Sequence, residues 1–226
     1  MSDIKPYTIA VPDEALARVK SKLDSFDLPK NVDFENDWNY GAPAADIKRL
    51  ANYWRDCFDW RAQEKRMNQM PQFTTEIEVD GFGALNIHFV HQKSSGSNSI
   101  PLLFCHGWPG SFLEVEKILP LLTEVQNGVS FHVVAPSLPN YTFSDGVSKK
   151  GFAPKQYAET LHKLMLKLGY NKYVTQGGDW GYVITRQLGV DYPESCVASH
   201  INMAFRGPPE FKQTPWTWLQ HLFTPW

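Results

Sequence analysis

One aspartate stands where a nucleophile is easily built. The stretch Gly177-Gly178-Asp179-Trp180-Gly181 follows a β-prone segment, Tyr173–Gln176, and precedes a helical one. Glycines on either side of the central residue let a strand turn sharply into a helix and let the two pack closely. The turn lifts residue 179 above the sheet edge at a helix N-terminus, where a carboxylate stays ionised. A carboxylate so placed suits attack on an electrophilic sp³ carbon, giving an ester that water can split. Alone, Asp179 reads equally well as a helix N-cap.

A second motif supplies the context. His106-Gly107-Trp108-Pro109-Gly110-Ser111 follows the apolar run Leu102-Leu103-Phe104-Cys105. A loop at this point can aim a backbone N–H at a developing oxyanion, partnered by the N–H of the residue after the nucleophile. Those donors are Trp108 and Trp180. A turn rich in Gly and Pro is common, but two motifs in this order, each after a strand and before a helix, make coincidence a poor explanation. A tight turn that aims the Trp108 amide inward predicts a cis Trp108-Pro109 bond.

The elements that must position these residues read as follows. Pro12-Asp13-Glu14 opens a helix with Leu16, Val19 and Leu23 on one face. A second helix starts at Pro43, with Ile47, Leu50, Trp54 and Phe58 at helical spacing. Between them lies an aromatic segment, Phe34 to Tyr40, without clear period. Ile77 and Val79, then Leu85, Ile87 and Phe89, alternate about Asp80-Gly81-Phe82-Gly83 as a hairpin. Beyond the polar loop Ser94–Ser99, the rhythm changes. Ile100–Cys105 reads as a strand buried on both faces. A helix over 111–122 follows, with Ser111 and Glu114 spaced as a capping box. Strands at Phe131–Ala135, Tyr173–Gln176 and Cys196–Met203 alternate with helices near 154–168 and after Asp179. That order predicts a mainly parallel α/β sheet. The chain therefore divides into an N-terminal region, 1–92, an α/β core, 93–206, and an aromatic stretch, 207–226, that reads as an interrupted element.

Composition sets the broad class. The 226 residues suffice for one full core, and 42% hydrophobic with 20% charged residues is a globular balance. A net charge of -2, with Lys and Arg scattered, offers no stripe for a nucleic acid. Cys57, Cys105 and Cys196 fit neither a disulfide framework nor a zinc spacing. No run approaches the roughly 18 apolar residues of a membrane span. The expectation is a cytoplasmic protein without membrane association.

His-Gly-Trp-Pro-Gly-Ser followed by Gly-Gly-Asp-Trp-Gly closely resembles epoxide hydrolases of the microsomal type, particularly their soluble fungal members. The two helices, the aromatic segment and Phe73–Asp80 also look like that family's N-terminal domain, so the resemblance covers essentially the whole chain. It implies an α/β-hydrolase fold, incomplete here, preceded by an epoxide hydrolase N-terminal domain. It also implies that Asp179 attacks an epoxide carbon while Trp108 and Trp180 form the oxyanion hole. Epoxide and water are the reactants, with no metal or organic cofactor, and the activity fits detoxification. A homo-oligomer of the full-length protein stays open.

The resemblance also requires two cap tyrosines and a later acid–His pair. No tyrosine follows Tyr192. His88 and His91 lie in the hairpin, His106 in the oxyanion loop, and His132 and His162 before the elbow. His200 falls inside a strand and reads as a core or hydrogen-bonded histidine. His221 sits among tryptophans at what looks like the start of the cap. The chain is thus expected to be an inactive N-terminal part of the enzyme. Asn140 and Thr142 stand where relatives often carry Gly; Asn tolerates the left-handed conformation, and Thr fits it poorly.

Two rivals remain. A haloalkane dehalogenase shares the Asp-Trp elbow, but its oxyanion loop usually carries Asn where this chain has Trp108. A non-catalytic binding protein derived from the family is the other. With one apolar stripe per helix, residues 1–75 are expected to wrap over the α/β core and bury Trp38, Trp54 and Phe58.

Overall fold

The computed structural model describes residues 3–27, 32–34, 36–204 and 211–223. The chain divides into two compact units, Pro6–Gln72 on one hand and Phe73–Trp226 with Met1–Lys5 on the other. The hairpin belongs to the larger unit because its second strand pairs with the α/β sheet.

Sheet order explains how the two motifs meet. The strands are β1 (Lys5–Pro6), β2 (Gln72–Val79), β3 (Gly83–Gln92), β4 (Ile100–Cys105), β5 (Phe131–Pro136), β6 (Tyr173–Gly177) and β7 (Cys196–Ile201), arranged β1-β2-β3-β5-β4-β6-β7. β3 runs antiparallel to β5, with Phe89 opposite Pro136. β4 runs parallel to β5 on one side and to β6 on the other. The chain leaves β4 for one neighbour and returns on the other, so a crevice opens at the carboxyl ends of β4 and β6. The register sets Cys105 beside Gly177. Three residues past Cys105 is Trp108; two past Gly177 is Asp179.

The core lies between this sheet and two helices, α5 (Pro154–Lys167) and α6 (Trp180–Asp191). Ala158, Leu161, Leu164 and Met165 of α5, with Ile184 and Leu188 of α6, are buried against Ile87, Phe89, Leu103 and Val134 of the sheet. Each such Leu or Ile contributes on the order of 1.5–3 kcal/mol when fully buried. This packing holds the elbow rigid from below.

The helix expected over 111–122 is broken. A 3-10 turn at Phe112–Val115 and a short α4 (Leu119–Thr123) replace it. Pro120 has no N–H to give a preceding carbonyl, so it sits in the first turn of a new helix. The capping box is divided likewise: Ser111 Oγ accepts from Leu113 N at 3.2 Å, while Glu114 Oε1 lies 3.5 Å from Gly107 N. Asn140 and Thr142 both adopt left-handed φ, 71° and 42°. Thr142 is held there by a 2.6 Å hydroxyl contact with Ser137, and Asn140 Oδ1 accepts from Val147 N at 2.7 Å.

The smaller unit contains α1 (Asp13–Asp24), α2 (Ala44–Asp56) and a further helix, α3 (Trp60–Met67), that lacks an apolar stripe. Asp59 caps α3 by accepting from Ala62 N at 3.0 Å. The segment before α1 is tied to α3: Val11 N donates to Glu64 Oε1 at 2.7 Å and Ile9 N to Asn68 Oδ1 at 2.8 Å. The burial expected of three aromatics is not found. Trp38 is 68%, Trp54 53% and Phe58 39% exposed. Trp54 and Phe58 line an open apolar cleft of about 420 Å³ with Leu16, Val19 and Leu23. Single stripes on two short helices leave that cleft unfilled.

Candidate active site

Asp179 occupies the turn between β6 and α6 with φ 52° and ψ −128°, a backbone conformation that L residues rarely adopt. Such geometry costs on the order of 1–3 kcal/mol and persists only where the surroundings enforce it. Close packing enforces it here. A Cβ at Gly181 would strike the carbonyl oxygens of Cys105 and His106, so only glycine lets α6 sit this near the end of β4. A Cβ at Gly107 would lie 2.6 Å from both Cβ and Oδ1 of Asp179, so the oxyanion loop must also be bare at that point.

The two expected donors converge on the carboxylate. Trp108 N donates to Asp179 Oδ1 at 2.7 Å across 71 positions of sequence. The backbone amides of Trp108 and then Trp180 hold the Asp179 carboxyl below the usual carboxylate range, outweighing slight desolvation. The Trp108-Pro109 bond is cis, as the turn required. The side chains of Asp179, Trp108 and Trp180 are otherwise exposed.

Three cavities lie about Trp108 and Trp180, and two of them border the Asp179 carboxylate. One, about 440 Å³, runs between Trp108, Tyr141, Phe152, Tyr157, Trp180 and Ile184. A second, about 600 Å³, is bounded by Trp108, Glu114, Gln176, Asp179, Asn202 and Met203. A third, about 580 Å³, lies along α6 beside Asp179, Tyr182 and Arg186. Sequence reasoning passed over Tyr141 and Tyr157. They share a cavity with Trp108 and Trp180 because β5 and β6 flank β4, an arrangement that spacing along the chain does not reveal. Burial raises the Tyr141 phenol first, then the charges of Tyr157 and Asp179 add to it.

No histidine lines these cavities among the described residues. His106 is buried and points away from Asp179, toward Leu138. His200 is not the core histidine expected: β7 is the last strand of the sheet, and the residue is exposed there. His221 lies on α7 (Pro215–Phe223), which has no buried residue and leaves Trp216 and Phe223 open to solvent. Residues 207–210 and 224–226 of the expected cap lie outside the described residues. Among the described residues no group of three His, Cys, Asp or Glu could hold a metal ion, and no helix is long and apolar enough to cross a membrane.

The family follows from comparison with known proteins. Residues 4–115 match the family model "Epoxide hydrolase N terminus", and residues 100–223 match the "alpha/beta hydrolase fold". The chain is 39% identical over 210 residues to "Epoxide hydrolase 1" of Sus scrofa, covering 89% of this chain and 45% of the relative. It is 37% identical over 212 residues to "Juvenile hormone epoxide hydrolase 2" of Ctenocephalides felis, covering 90% and 44%. Among solved structures, the Aspergillus niger epoxide hydrolase superposes with a TM-score of 0.81 at 33% identity, covering 97% of this chain and 62% of that one. The juvenile hormone epoxide hydrolase of Bombyx mori gives 0.81 at 31% identity, covering 90% and 53%. The chain spans about half the length of the curated relatives it matches.

Proposed function

The chain belongs to the α/β-hydrolase fold family, with an epoxide hydrolase N terminus ahead of that fold, and we propose that it is the nucleophile-bearing part of an enzyme that opens epoxides to vicinal diols. The observation that carries this reading is the 2.7 Å contact between the Trp108 amide and a carboxylate in the elbow position.

The chemistry runs in two steps. One oxygen of the Asp179 carboxylate attacks an epoxide carbon, the C–O bond of the ring breaks, and its electrons pass to the ring oxygen, which takes up a proton. The product is a hydroxyalkyl ester of Asp179. Water then adds to the ester carbonyl, and the charge that develops on oxygen faces the Trp108 and Trp180 amides. Collapse releases the diol and restores the carboxylate. Fixed amides at about 3 Å from a developing oxyanion need no reorganisation as the charge forms, which is what makes them effective. Family resemblance assigns the acid at the ring oxygen to cap tyrosines, and the base for water to a later acid–His pair. The aromatic walls of Trp108, Tyr141, Tyr157 and Trp180 suit an epoxide with an apolar substituent.

Three free cysteines, two of them buried, are consistent with a reducing compartment, and the cytoplasm is the location we infer. An aspartate elbow could also serve a haloalkane dehalogenase, so the test measures both products. The protein expressed from its gene should release diol from an aryl epoxide and no halide from a haloalkane. Halide without diol would overturn the reading.

A further inference from the structure

The histidine that opens the oxyanion loop is absent from the chemistry above, yet it is buried, with 1% of its surface exposed. Both of its ring nitrogens are engaged. Leu138 N lies 3.1 Å from Nε2 and Gly107 O lies 3.0 Å from Nδ1. We propose that His106 is a positioning residue: its Nδ1–H holds the Gly107 carbonyl so that the Gly107–Trp108 peptide presents its N–H to Asp179. This deepens the reading of Asp179 as nucleophile and rests on it.

The tautomer follows from the partners. A backbone N–H can only donate, so Nε2 must accept from Leu138. A neutral ring then carries its proton on Nδ1, where the Gly107 carbonyl accepts it. Burial lowers the pKa of this ring, which keeps it neutral. Gly107 O and Trp108 N belong to one planar peptide unit, so fixing the direction of the oxygen fixes that of the N–H. That N–H meets Asp179 Oδ1 at 2.7 Å. The other side of the loop gives little hold, since Glu114 stands 3.5 Å from Gly107 N. Leu138 follows β5, so the ring also ties the loop after β4 to the loop after β5. Tyr141 packs edge-on against it with ring centroids 4.9 Å apart.

The test is an NMR titration of the 226-residue chain, with labelled aspartate carboxyls and backbone amides. The parent ring should carry its proton on Nδ1, and the Trp108 amide resonance should follow the titration of Asp179. A proton on Nε2 would overturn the proposal whatever the variants do. His106→Gln puts an amide near the Nε2 position and can still accept from Leu138, but it places no donor at the Nδ1 position that faces Gly107. In that variant the Asp179 midpoint should rise toward the ordinary carboxylate range, and the Trp108 amide should cease to track it. His106→Asn puts a donor near the Nδ1 position and should keep the tracking. An unchanged midpoint and unchanged tracking in a folded His106→Gln would contradict the proposal. If that variant does not fold, loss of tracking in a folded His106→Asn would contradict it instead. Failure of the diol assay would count against the epoxide reading alone, because no substrate enters this titration.

Discussion

The Trp108 amide nitrogen lies 2.7 Å from Asp179 Oδ1, although the two residues are 71 positions apart. They meet because β4 and β6 are parallel neighbours in register at Cys105 and Gly177. The loops leaving those strand ends therefore face each other across the crevice. Fixed backbone amides thus hold the carboxylate ionised and in one orientation.

Backbone strain at Asp179 has a measurable consequence. At φ 52° and ψ −128° a side chain costs on the order of 1–3 kcal/mol relative to glycine. Asp179→Gly should therefore be more stable than Asp179→Ala by about that amount in urea unfolding. Both variants lack the carboxylate, so its hydrogen bonds cancel in the comparison. Equal stabilities would mean that the elbow is relaxed.

Gly181→Ala should be costly for a different reason. The added methyl meets the carbonyl oxygens of Cys105 and His106, which are backbone and cannot rotate away. A loss of about 1–3 kcal/mol is expected, as for overpacking in a tight core. The elbow should shift with it, visible as a change in the Trp108 amide resonance. An unperturbed variant would show that α6 and β4 have room between them.

Acid should destabilise the larger unit through its buried histidines. Burial lowers His88 to about 4, and burial, then the charges of Lys93 and His132, lowers His91 to about 4. The unfolded chain takes up these protons near pH 6.5 and the folded one only near 4. Stability from the neutral forms is thus fully present above about pH 6.5 and is lost as pH falls toward 4, at about 1.4 kcal/mol per pH unit for each fully buried group. His88→Asn keeps a polar atom toward Ser137, which is 2.8 Å from Nδ1. It should make the pH dependence of the urea midpoint shallower. An equal slope in parent and variant would assign the acid sensitivity to other groups.

The turns that carry Asp179 and Trp108 were legible in the sequence because both are local: a few glycines and a proline beside apolar runs declare each turn. What surrounds them was not. Tyr141 and Tyr157 share a cavity with Trp108 and Trp180 through the placement of β5 and β6 on either side of β4, a non-local fact. The pairing of β3 with β5 was not legible either, because β3 alternates like half of a separate hairpin while its partner lies far along the chain, with Phe89 opposite Pro136. α3 gave no apolar stripe; its Glu64 is buried by hydrogen bonds to Val11, not by hydrophobic packing. Pro120 did carry a signal, and weighing its missing N–H would have broken the helix over 111–122 in advance. Trp38, Trp54 and Phe58 show the limit of residue type as a guide to burial, since large aromatics can remain exposed beside an unfilled cleft.

The most direct measurement is intact mass followed by peptide mapping after incubating the 226-residue chain with a strongly activated aryl epoxide. No histidine lines the cavities beside Asp179 among the described residues, and a general base for water typically contributes about 10²–10⁴-fold. The ester should therefore form slowly and stay. One adduct, of the mass of the intact epoxide, is expected on Asp179, with negligible diol in solution and no adduct in Asp179→Ala. Adducts at other residues, an equal yield in Asp179→Ala, or diol formation that survives loss of the carboxylate would contradict the assignment of Asp179 as the nucleophile.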